Sequence, residues 1–244
     1  MRHPIFFLFN FSNTPRIPRH WLISAIRDYT GRYVGMNRTW KWIETLVAFG
    51  LLEASLWTGG HTQRLLALAT AVWIVAATLA SGRTVRELGL GLSGFHRALN
   101  AIPVAIAGVG FLLLLGWQAG TLHDLYGTRP PLWHSSGYAI WALMQQFILN
   151  SFFYLNFEEL LGNKRQAFWA VVALFCVAHI PNPVLMLGTF IAAVFFVTMF
   201  RRYRNIYPLG VAHAMLGLSL AITVPDIWIR HMRVGISYLR FVVR

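Results

Sequence analysis

A short set of side chains that could move or hold a proton lies inside otherwise apolar runs: Glu44, Glu53, Gln145, Gln146, Asn150, His179 and His213. Unpaired polar groups are costly in hydrocarbon, so such residues must either bond one another or line a polar cavity. An imidazole can accept or pass on a proton near neutral pH, and a buried carboxylate such as that of Glu53 can take one from water. The amides of Gln145, Gln146 and Asn150 can orient a water molecule but cannot serve as its base. Two imidazoles without a neighbouring carboxylate make a poor zinc or magnesium site, and amide neighbours suit a tetrapyrrole metal badly. No metal or other cofactor is therefore expected. The alternative for each residue is an interhelical hydrogen bond that only holds the bundle together.

The elements that must position these groups follow from composition. The chain has 244 residues, 57% of them hydrophobic and 12% charged, with a mean hydropathy of +0.54. Soluble domains carry about 25% charged residues, so this is an integral membrane protein. With roughly 20 residues needed to cross the hydrocarbon core, spans are predicted near 42–58, 65–80, 99–117, 137–156, 166–181, 183–200 and 206–224. Pro181 and Pro183 are expected to break the fifth from the sixth. The fold class is an all-α polytopic transmembrane bundle of seven to eight segments. Its domains are a basic interfacial segment over 1–41, a transmembrane helical domain over 42–224 and a basic amphipathic tail over 225–244, whose spacing suits an interfacial helix. The alternative, since seven spans would leave the basic tail on the far side, is an eighth crossing or re-entrant piece.

A net charge of +13 raises nucleic acid as a partner. The basic residues, however, sit in the short segments between apolar runs, which is the pattern of membrane topology. Membrane lipid is the expected environment, with the N-terminus cytoplasmic and the bacterial inner membrane as location. No cleavable signal peptide is apparent. The single cysteine, Cys176, lies in an apolar run and reads as a small core residue.

Two stretches carry a resemblance. Phe175-Cys-Val-Ala-His179-Ile-Pro-Asn182 resembles the F-x-x-x-H second motif of the CPBP family, the CAAX proteases and bacteriocin-processing enzymes also called Abi proteins. Gly210-Val-Ala-His213-Ala-Met-Leu resembles its third motif, and Arg86-Glu-Leu-Gly-Leu-Gly-Leu the approach to its core; together these place a CPBP-like core at about 83–224. The first motif of that family reads E-E-x-x-x-R-G, and two places compete for it. Glu158-Glu159 supplies the acids but puts Asn163 at the arginine position and leaves an interval to His179 of 179 − 158 = 21 residues. Gln145-Gln146, with Asn150 at the arginine position, leaves 179 − 145 = 34, close to the family pattern. The glutamine pair is the better match. Glu158 would lie roughly 20 Å further along a helix, where it and Glu159 are expected to pair with Lys164 and Arg165.

The resemblance implies an intramembrane endopeptidase in which a glutamate, two histidines and an asparagine activate water. Here the glutamates are glutamines, the arginine is Asn150, and the position four after His213, often asparagine or an acid in relatives, is Gly217. The expected function is a protease-like membrane protein without turnover, acting as a binding, regulatory or accessory subunit with a transmembrane protein partner or larger membrane complex. The alternative is an active CAAX-type endopeptidase with a rearranged site in which Glu53, His179 and His213 do the work.

Overall fold

The computed structural model describes residues 19–124 and 131–241, with side chains from 38 and from 136 onward in those two stretches. The chain divides into two compact units, 1–41 and 42–244, and the residues of interest lie in the second. Residues 1–18, and the side chains of the proposed interfacial segment up to 37, lie outside the described residues.

Every predicted span is helical. After α1 (Arg19–Leu56) come α2 (Gly60–Ala80), the short α3 (Phe95–Ala98) and α4 (Ala101–Ala119). A long rod follows, made of α5 (Pro131–Gln146), an eight-residue π-helix (Phe147–Tyr154) and α6 (Leu155–Leu161). Then come α7 (Lys164–Val177), α8 (Pro183–Tyr203) and α9 (Tyr207–Thr223). No strand occurs among the described residues.

By length and composition, three of these helices can cross a membrane: α2, the α3–α4 stretch Phe95–Ala119, and α8. Counting α9 with the helical turn after it, bent by 117°, gives up to four. The predicted seven to eight rest on shorter helices as well, α7 having 14 residues. The outer faces are those of a membrane protein. Leu68, Leu79, Phe111, Trp117 and Leu187 are all exposed, an apolar coat that a water-soluble bundle could not sustain.

Local sequence sets the breaks. Asn163 caps α7, its side chain accepting from the Arg165 and Gln166 amides. Asn182 caps α8, accepting from the Leu185 amide, and Pro183 occupies the first turn, where its missing N–H costs nothing. The prolines therefore do separate α7 from α8. Arg201 and Arg202 end α8, where cations complement the helix dipole.

The core is built around the π-helix. Leu149, Phe152, Phe153 and Tyr154 are buried together with Val171, Val172, Phe196, Phe200 and Leu209. Phe152 meets Phe153 edge-to-face at 5.0 Å between centroids, and Tyr154 meets Phe200 at 6.2 Å. A π-turn widens the helix by one residue and is common where a helix carries function.

The tail differs from the predicted interfacial helix. It folds as α10 (Asp226–Ile229), a 3-10 turn (Arg230–Met232) and α11 (Gly235–Leu239). Arg230, His231 and Met232 all take positive φ, which no continuous right-handed helix allows. Of the apolar residues that suggested a helix, Ile229 is buried while Ile227 and Leu239 stay exposed, and hydrogen bonds dock the tail. The Asn182 amide donates to the carbonyls of Ile229 (2.8 Å) and Arg233 (3.0 Å), and the Gly235 N–H donates to the Ile180 carbonyl at 2.8 Å.

Candidate functional site

The rod carrying the glutamine pair and the late helix α9 pack face to face. Their approach depends on glycine. A Cβ on Gly210 would lie 3.1 Å from the Leu143 Cα, and one on Gly217 would collide with the Tyr138 hydroxyl. Close packing brings together residues 67 apart in sequence. The Gln146 side-chain nitrogen lies 3.0 Å from Nδ1 of His213.

A directed chain of hydrogen bonds results. Asn150 Nδ2 donates to Gln146 Oε1 at 2.8 Å, which leaves the Gln146 NH2 group facing His213. An amide nitrogen can only donate, so with the amides assigned this way His213 Nδ1 accepts and the neutral ring carries its proton on Nε2. Gln146 and Asn150 are both 0% exposed. Asn150 Oδ1 is buried without a hydrogen-bond partner, an acceptor that a water molecule or a ligand donor would satisfy.

His179 is held differently. Its Nδ1 lies 2.7 Å from the Phe175 carbonyl one turn earlier. A carbonyl only accepts, so Nδ1 carries the proton and Nε2 keeps the lone pair. The spacing of Phe175 and His179 thus has a local reason. It also places the Phe175 ring 4.9 Å from His179 and 6.3 Å from His213, between the two imidazoles' neighbourhoods. Phe196 stacks on the other side of His213 at 5.2 Å.

His179, His213 and Gln145 line one cavity of about 890 Å³ whose other walls are mainly aliphatic and aromatic. Tyr138, Gly217, Leu216 and Phe195 are among them, and from the tail Met232 and Val234. An apolar hollow with a few convergent polar groups is the usual form of a ligand site. No group of three or more His, Cys, Asp or Glu able to hold a metal occurs among the described residues.

The other predicted residues go elsewhere. Glu53 accepts from the Trp57 indole just past the end of α1 at 3.2 Å, its Oε1 is buried without a partner, and it is not among the residues lining the cavity. Glu44 accepts from Asn156 Nδ2 at 3.2 Å, in a network that Arg83 completes by donating to Asn156 Oδ1 at 2.8 Å. Glu158 and Glu159 lie away from the histidines, and the expected Lys164 pairs with Glu158, but arginines distant in sequence join them. Glu159 pairs with Arg83 at 2.7 Å and Glu158 with Arg204 at 2.9 Å, while Lys164 stands 3.7 Å from Glu158. Sequence spacing found the near base Lys164, and helix packing added the distant, shorter contacts of Arg83 and Arg204.

Sequence reasoning missed Tyr138 and Asn182. Tyr138 sat in an apolar run with no pattern to mark it. Asn182 stood in the quoted histidine motif, yet its partners in the tail have no sequence signature.

Residues 129–219 match the family model described as type II CAAX prenyl endopeptidase Rce1-like. Over that stretch, less than half of the chain, it is similar to the Rce1-like family. The matched residues include Gln145, Gln146, Asn150, His179 and His213; the Arg86–Leu92 segment lies outside them. No curated protein and no solved structure matches the chain. The matched stretch is therefore the part of the molecule that holds the polar cluster and the whole rod around it.

Proposed function

We propose that this chain is a non-catalytic Rce1-like membrane protein whose cavity binds an apolar, membrane-embedded partner, such as a lipid-modified or transmembrane peptide, in a regulatory or accessory role. One observation carries the reading: the amide of Gln146 donates to His213 Nδ1 at 3.0 Å. A glutamate there would accept from Nδ1–H and leave Nε2 of the ring as a base or ligand. Glutamine reverses the bond, fills one lone pair of His213 and protonates the other nitrogen. The ring is left with no free acceptor, and neither glutamine can take a proton from water.

Gly217 supports the same reading. Where relatives often carry a polar side chain four residues after this histidine, the space is occupied by the Tyr138 hydroxyl. The site has been filled by a neighbour rather than merely emptied. Turnover and partner binding separate cleanly in an assay. Purified full-length chain mixed with a farnesylated CAAX peptide should bind it and release no product. Cleavage by the wild type that disappears in His179→Ala would overturn the proposal.

A specific observation favours a second reading. Glu53 Oε1 is a buried acceptor without a partner, and an active enzyme with a rearranged site would recruit it with His179 and His213. Cleavage abolished by Glu53→Gln at unchanged thermal stability would establish that reading.

The topology proposed with this function has seven to eight membrane segments, the shorter helices included, and a cytoplasmic N-terminus in a bacterial inner membrane. The support is the crowding of Arg83, Arg86, Arg97, Lys164, Arg202 and Arg204 around Glu158 and Glu159.

A further inference from the structure

A second pocket, of about 530 Å³, lies well away from the histidines. Arg83, Arg86, Arg97, Arg202 and Arg204 line it. Three carboxylates share it, and each is already engaged. Glu159 pairs with Arg83 and Glu158 with Arg204; Glu87 accepts from the Thr84 amide and hydroxyl, both at 2.8 Å. Arg86, Arg97 and Arg202 have no ion pair with a carboxylate among the described residues. Arg202 only stacks against Tyr203, at 5.4 Å.

The three uncompensated cations come from three separate segments, and those segments end together. Arg86 follows α2, Arg97 opens the α3–α4 stretch, and Arg202 closes α8. These are the three helices long and apolar enough to cross a membrane. Their adjoining ends therefore mark the level where hydrocarbon gives way to headgroups. Bonds between segments fix the arrangement: the Ile206 backbone N–H donates to the Gly89 carbonyl at 3.0 Å, and the Asn205 side-chain amide to the Gly91 carbonyl at 2.7 Å. The residues after α8 are thus tied to the Gly89–Gly91 backbone, which fixes two of the pocket's segments relative to each other.

We propose that this pocket binds a phosphate group through Arg86, Arg97 and Arg202, and that an anionic lipid headgroup supplies it. Guanidinium forks match phosphate oxygens in pairs, and three of them converging exceed what a lone carboxylate needs. The position at headgroup depth selects a lipid over a soluble anion. The inference is independent of whether the histidine cavity turns over a substrate.

The test uses the full chain in neutral detergent, with phosphatidylglycerol, phosphatidylcholine or inorganic phosphate added and the thermal unfolding midpoint followed. Phosphatidylglycerol should raise the midpoint and phosphatidylcholine should not. The variant Arg86→Gln/Arg202→Gln should bind phosphatidylglycerol about 25-fold more weakly, about fivefold per arginine. Arg165→Gln, which removes an exposed charge outside the pocket, should respond like the wild type. An inorganic phosphate shift that the double variant loses would support the same pocket with a soluble source. Equal responses in all three proteins, or no response to either anion, would overturn the site. Should the double variant not fold, Arg97→Gln and lipid retention by native mass spectrometry take its place, with the same outcomes deciding.

Discussion

Gln146 on the rod and His213 on α9 meet at 3.0 Å, with Asn150 behind the glutamine at 2.8 Å. The direction of those bonds, rather than the mere presence of a histidine, decides what the cavity can do.

Changing Gln146→Glu should reverse the bond. The carboxylate accepts from Nδ1, so the His213 ring moves its proton from Nε2 to Nδ1 or holds both. Nitrogen NMR of histidine-labelled protein reads the tautomer directly. An unchanged His213 spectrum would contradict the hydrogen-bond direction described here. Because position 146 is fully buried, the charged variant should also lose about 1–3 kcal/mol of stability.

Gly217→Asn should destabilise the fold by about 1–3 kcal/mol, since the new Cβ meets the Tyr138 hydroxyl. Shortening the tyrosine should relieve it. In a double-mutant cycle with Tyr138→Ala the two changes should couple by about 0.5–3 kcal/mol in the compensating sense. Additive losses would show that Tyr138 does not occupy the space next to position 217.

Asn182→Ala removes the cap of α8 and the donors to the Ile229 and Arg233 carbonyls. Loss of the cap alone should cost about 0.5–2 kcal/mol. The more specific consequence is release of the tail: limited proteolysis should cut within 226–241 much faster than in the wild type, with the α2–α9 bundle still protected. Equal rates would mean the tail is held by its apolar contacts alone.

Arg83→Lys should not substitute for arginine. One guanidinium serves both Asn156 and Glu159, at 2.8 and 2.7 Å, a two-pronged geometry that an ammonium cannot reproduce. Asn156 is fully buried and relays to Glu44. A loss of about 1–3 kcal/mol on thermal unfolding is expected, and retention of wild-type stability would show that the network adds little.

Much of this molecule could be read from the chain alone. Apolar runs separated by basic segments are written in residue order, so the helices were predictable; each predicted span is helical, although only three or four meet the length and composition of a crossing by themselves. Caps and prolines at 163, 182 and 183 are local, and the break between α7 and α8 follows from them. The motif around Phe175 and His179 is local too, because the His179 ring bonds the Phe175 carbonyl four residues earlier.

What folding alone decided is everything that depends on one helix meeting another. That Gln146 rather than Gln145 reaches His213 is set by rotation of the rod about its axis. The arginine partners of Glu158 and Glu159, the Tyr138 hydroxyl beside Gly217 and the docking of the tail on Asn182 all join residues distant in sequence. Composition and periodicity determine which surfaces must be buried; only close packing determines which atoms face each other once they are, and hydrogen-bond direction is fixed at that last step.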